Sequence, residues 1–174
     1  MPHDIEKFLD AISLAGFKGV ELRINKARAF VEREGVDRLL SLLSDKGLEL
    51  LSLNSIALPL LEESPSESFY RDFEDVCRLS SELGAPYVVT IPCVVPEGVV
   101  VDRSKVVERG IRIVKRLAEI AHRSGIGIIV EPLGLKEKAL RKLEDGVEIV
   151  KRVNMENVYT MLDTFHVYVA SSDF

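Results

Sequence analysis

The chain has 174 residues, 47% of them hydrophobic and 29% charged, which suits a single globular domain with a substantial core. Twenty-three Lys and Arg against 28 Asp and Glu give a net charge of −5, without any long basic run, and this argues against a nucleic-acid partner. The longest apolar run, Val94 to Val101, is broken by Pro96 and Glu97, and the first residues lead straight into an amphipathic segment; neither a membrane span nor a secretory leader is expected, and the cytoplasm is the default location.

Helical and strand periodicities then alternate along the chain. Asp4 is placed to cap a first helix whose stripe is Ile5, Phe8, Leu9 and Ile12, ended by Gly16. A strand from Phe17 to Arg23 follows, then a loop, then a second stripe of Val36, Leu39, Leu40 and Leu43 closed by Gly47. Leu48 to Asn54 reads as the next strand. Phe69, Phe73, Val76 and Leu83 precede Gly84 and a strand from Pro86 to Pro92; Val107, Ile111, Val114, Ala118 and Ala121 precede Gly125 and a strand from Ile126 to Glu131. Leu140, Leu143, Val147 and Val150 precede Asn154 and a last strand from Asn157 to Leu162. Cys77 and Cys93 have neither a disulfide framework nor a zinc-ligand spacing and read as two small buried residues.

Five strands, each entered from a helix that stops at Gly or Asn, imply a parallel sheet covered by helices, because parallel crossovers need a helix-sized connection. The strand ends recur every thirty to forty residues, a regularity that favours an α/β fold of the (β/α)8 TIM-barrel type over an open doubly wound sheet. No Gly-rich phosphate loop follows any strand, which removes the usual nucleotide-binding folds.

Ligands of such folds bind at the carboxyl ends of strands, so the polar residues that end these apolar runs are the candidates: Glu21, Asn54, Glu131 and Asp163, with His166 just beyond. Alternation puts Glu131 on the face of Gly127 and Ile129, aimed into the barrel, where a carboxylate without a partner is costly. A metal ion is one remedy, since Glu131 and Asp163 on adjacent strands would offer two hard oxygen ligands. Structural alternatives stand beside each: an ion pair with Arg23 for Glu21, a hydrogen-bonding turn for Asn54, a salt bridge for Glu131, a turn cap for Asp163 and a core or surface position for His166. His3 and His122 read as uninvolved.

Four segments, Gly16–Leu22 (GFKGVEL), Leu83–Val89 (LGAPYVV), Val130–Gly134 (VEPLG) and Leu162–Tyr168 (LDTFHVY), together resemble the xylose isomerase-like TIM barrels, the sugar phosphate isomerase/epimerase family. The last two match, in order and spacing, the family's fifth and sixth strands. The resemblance implies that Glu131 is a metal ligand and one of two glutamates doing acid/base work, that Asp163 is a second ligand, and that His166 contacts substrate oxygens. It also implies a small-molecule sugar substrate, Mn2+, Mg2+ or Co2+ as cofactor, and an enediolate formed by proton transfer beside a carbonyl. Glu21 and Asn54, at the same mouth, are the further candidates for substrate binding.

The family pattern has eight strands, and the second to sixth are those matched here. A seventh-strand His and an eighth-strand Glu have no counterpart in residues 1–174, which read as one partial barrel domain. We therefore expect a chain shortened at both ends, or a barrel completed by a second copy or another chain, and inactivity of the segment alone. Related barrels dehydrate inososes, so a dehydratase is a near alternative. The endonuclease IV branch shares an Asp-x-x-His segment but builds its zinc site from many histidines, where this chain has Asn54 and Pro92-Cys93 and three His in all. A non-catalytic remnant is the third alternative.

Overall fold

Alternating periods in the sequence become alternating helices and strands in the computed structural model, which describes residues 5–171. His3 and the capping position Asp4 lie outside them. In chain order the elements are α1 (Ile5–Leu14), β1 (Gly19–Arg23), α2 (Ile24–Glu34), α3 (Val36–Asp45), β2 (Glu49–Leu58), α4 (Glu67–Glu82), β3 (Tyr87–Pro92), α5 (Arg103–Arg123), β4 (Gly127–Val130), α6 (Leu143–Val153), β5 (Val158–Thr160) and α7 (Thr164–Ser171). Side chains cap α4 and α5: Ser66 accepts from the Phe69 amide, and Asp102 accepts from the Ser104 and Lys105 amides. Asn154 ends α6 in the left-handed conformation at φ 49°.

All four strand pairings are parallel and the spatial order is β1-β2-β3-β4-β5. A doubly wound sheet reverses its strand order at a switch point, whereas a barrel adds each strand beyond the last. The monotonic order is therefore that of a barrel wall. Its outer face is dry: Leu22, Leu53, Val88, Ile128 and Val130 pack under Leu39, Phe73, Val76, Leu117 and Ile149 of the helices, all at 2% exposure or less. On the inner face the rings of Tyr87 and Tyr159 meet edge-on at 5.6 Å over Gly127, where a Cβ would lie 2.8 Å from the Tyr87 ring. Among the described residues no helix is long and apolar enough to cross a membrane.

Four local expectations are corrected. The segment expected as a loop after the first strand is α2, held by Ile24, Ala27 and Phe30 at helical spacing and ended by Gly35 at φ 87°. The second strand does not stop at Asn54 but runs to Leu58, skipping Leu51 against β1 and Ser55 against β3, so Asn54 sits inside a strand. The helix expected from Leu140 starts at Leu143; Leu140 is instead buried in the preceding loop, where its carbonyl accepts from the Leu133 amide at 3.0 Å. After Asp163 the chain makes a helix, α7, where only a turn was expected. Cys77 is buried and its thiol is pushed up to about 12, chiefly by that burial, while Cys93 is only partly buried. His122 is exposed on α5.

Candidate metal and acid/base site

The carboxyl ends of β1, β2, β4 and β5 converge on one cluster. Glu131 immediately follows β4, its amide still in the ladder, donating to the Thr90 carbonyl at 2.9 Å. It is 8% exposed. Burial is the first cause, and the negative charges of Glu21 and Asp163 the next, of a carboxyl pushed up to about 7. Among the described residues no Arg or Lys pairs with Glu131, so the salt-bridge alternative finds no support there.

Asp163 does cap a following element: its Oδ1 accepts the Phe165 amide at 2.7 Å and the His166 amide at 3.2 Å, opening α7. That cap sets where His166 lies, three residues on. The ligand atoms of Glu131, Asp163 and His166 all fall within 4.8 Å of one another, and among the described residues the buried Nδ1 of His166 has no hydrogen-bond partner. Two carboxylates and an imidazole make a donor set that fits a divalent cation.

Glu21 is held from the neighbouring strand and not by Arg23. Its carboxylate accepts from the Ser52 hydroxyl at 2.6 Å and from the Asn54 amide at 2.8 Å. The bulge at Leu51 brings Ser52 opposite Glu21. In front of the cluster lies an open cleft of ≈ 800 Å³ whose lining includes Glu131, His166 and Asn54 together with Arg23, Asn25 and Arg28 of the β1–α2 junction. Arg28 is paired to Asp72 at 2.8 Å.

All five sequence candidates thus share one mouth: Glu131, Asp163 and His166 meet directly, Glu21 acts on Glu131 through its charge, and Asn54 joins through Glu21. Sequence reasoning missed Ser52 and Gly134. Ser52 was visible as the lone hydroxyl in the leucine run Leu50–Leu53. At Gly134 a Cβ would run into the His166 carbonyl oxygen and lie 2.7 Å from the Ala170 nitrogen, so the missing side chain is what lets α7 approach.

Residues 9–173 match the sequence profile described as "Xylose isomerase-like TIM barrel". The chain belongs to the xylose isomerase-like TIM barrel family. Within that family it is 23% identical over 172 residues to an inosose isomerase of Halalkalibacterium halodurans, covering 98% of this chain and 60% of the relative. A D-psicose 3-epimerase of Ruminiclostridium cellulolyticum is 34% identical over 70 residues, covering 40% of this chain and 24% of that protein. Among solved structures, the IolI protein with a bound zinc atom superposes with a TM-score of 0.82 at 23% identity, over 97% of this chain and 60% of that one. The chain therefore spans about 60% of the length of the inosose isomerase it matches.

Proposed function

We propose that the cluster is the proton-transfer centre of a divalent-metal-dependent isomerase or epimerase acting on a small ketose or inosose. The observation that carries this reading is the convergence of Glu131, Asp163 and His166 within 4.8 Å at the mouth of a barrel wall. The relatives named inosose isomerase and psicose 3-epimerase support the substrate class. Manganese, magnesium or cobalt suits the oxygen-rich set, and the cation would supply a Lewis acid that stabilises an enediolate.

The chain's own residues do the rest. Glu131 takes the proton from the carbon beside the carbonyl and returns it. Glu21, oriented by Ser52 and Asn54, binds a substrate hydroxyl, as does Asn54 where it lines the cleft. His166 contacts a substrate oxygen or the cation through its unpartnered nitrogen. In this reading residues 1–174 are one domain contributing five strands of a barrel, the remainder supplied by further residues of the same polypeptide, by a second copy or by another chain.

Exchange of the proton beside the carbonyl of an inosose or of D-psicose, followed in deuterium oxide with Mn2+, tests the reaction. Exchange is expected from the completed barrel and not from residues 1–174 alone, and is lost from a folded Glu131→Gln variant of that barrel; undiminished exchange in that variant removes Glu131 from the mechanism. The dehydratase alternative is read in the same samples, since it yields a dehydrated product in place of an epimer. Sedimentation equilibrium tests closure: an active protein that stays monomeric excludes completion by a partner.

A further inference from the structure

The loops after β3 and β4 are stitched to each other. The Val95 amide donates to the Glu137 carbonyl at 2.7 Å, the Ala139 amide donates to the Cys93 carbonyl at 3.2 Å, and Val94 pairs with Lys138 as an antiparallel bridge. Between this stitch and the start of α6 lies a second cleft of ≈ 340 Å³ that shares no lining residue with the first. Its size falls at the small end of the range for small-molecule sites.

Five basic side chains and one acid line it, in a chain whose net charge is −5. The acid, Asp145, is 4% exposed and already engaged by Arg103, whose Nε donates to it at 2.6 Å. Among the described residues the Lys138 and Lys142 ammoniums have no ion-pair partner. Val95, Val99 and Val101 form an apolar side, with Val99 49% exposed. Like charges gathered beside low-dielectric walls focus a positive potential into the cleft, and valines left in water favour a ligand with a hydrocarbon part.

We propose that this cleft binds a small organic dianion, a phosphate monoester or a dicarboxylate on a short apolar body, held by Lys138 and Lys142 against the valines. The site is independent of the metal-centred reading and uses none of its residues.

The test is calorimetric titration with phenyl phosphate, inorganic phosphate and succinate, on protein stripped of metal and then exchanged into chelator-free buffer so that the carboxylate cluster contributes nothing. Saturable binding is expected, tighter for phenyl phosphate than for inorganic phosphate, and the phosphate and dicarboxylate arms identify which anion is preferred. Lys138→Glu with Lys142→Glu should weaken it by roughly tenfold or more, the loss expected for removing charged hydrogen bonds. Lys115→Glu with Lys151→Glu, on exposed helix faces, makes the same change in net charge and should leave binding intact. Absence of saturable binding, or an equal loss in the two double variants, overturns the proposal. Lys138→Ala, a milder change, keeps the test decisive if the double variant does not fold: undiminished affinity there counts against the site.

Discussion

Glu131 and Asp163, carried by the ends of neighbouring strands, bring carboxylate oxygens within 4.8 Å of each other and of a His166 nitrogen. Two acids this close, one of them buried, oppose ionisation of Glu131 unless something positive joins them. Protonation of Glu131 therefore depends on the charges gathered around it.

Without metal, the Glu131 carboxyl ionises at about 7 in the fold against 4.5 for the ordinary group, so the folded state holds its proton longer than the unfolded chain does. Stability from this group is fully present below the lower value and is lost as pH rises through the upper one, a swing of about 3 kcal/mol. Denaturant unfolding of metal-free protein at steps across that window should show the decline, and Glu131→Gln should remove it. If the variant and the parent decline in parallel, the carboxyl is not perturbed by its neighbours. With Mn2+ present, affinity should climb with pH and level off once Glu131 is ionised.

The cap made by Asp163 and its proposed role as a metal ligand can be separated by substitution. Asn in its place keeps an oxygen to accept the Phe165 and His166 amides, whereas Ala removes the cap and should cost about 1 kcal/mol. Both should weaken Mn2+ binding by more than about tenfold if the proposed ligand set holds, since each removes one of its two carboxylates. Thermal unfolding with and without Mn2+ reads both effects. A hundredfold excess over the dissociation constant adds about 2.7 kcal/mol to the parent and should add much less to either variant. Equal metal stabilisation of parent and Asp163→Asn would take Asp163 out of the ligand set.

The polar strand ends were legible because Glu131 and Asp163 close apolar runs, with His166 just beyond; their roles came from the family resemblance, and the structure brings the three together. The parallel sheet was equally legible from Gly and Asn punctuation between stripes. The helix Ile24–Glu34 was not, because Arg and Glu interrupt its short apolar stripe and no capping residue precedes it; its N-cap, Arg23, makes no side-chain cap bond. Nor was the extension of β2 to Leu58, since two skipped residues break the alternation that marks a strand.

Ser52 shows what that broken alternation hid. Its hydroxyl is buried and donates to Glu21 at 2.6 Å, so Ser52→Ala should leave the carboxylate short of a donor and cost about 1–3 kcal/mol. A cycle with Glu21→Gln should give a coupling of about 0.5–3 kcal/mol between the two positions. Additive losses would mean that Glu21 is oriented by Asn54 alone.

Gly134 makes the strongest link between packing and the site. An added Cβ would meet the His166 carbonyl oxygen and, at 2.7 Å, the Ala170 nitrogen, both backbone atoms of α7 that cannot yield without moving the helix. Gly134→Ala should therefore cost about 1–3 kcal/mol, as overpacking does, and also carry His166 away from Glu131 and Asp163. Gly110→Ala is the control: its Cβ would lie 2.7 Å from the Ile149 Cδ1, the tip of a side chain between α5 and α6, so it can destabilise without disturbing the cluster. The two are compared by unfolding free energy and by Mn2+ affinity. Gly134→Ala should lose both and Gly110→Ala only the first. If Gly134→Ala binds Mn2+ as the parent does, His166 contributes nothing to holding the cation, and its role contracts to contact with substrate.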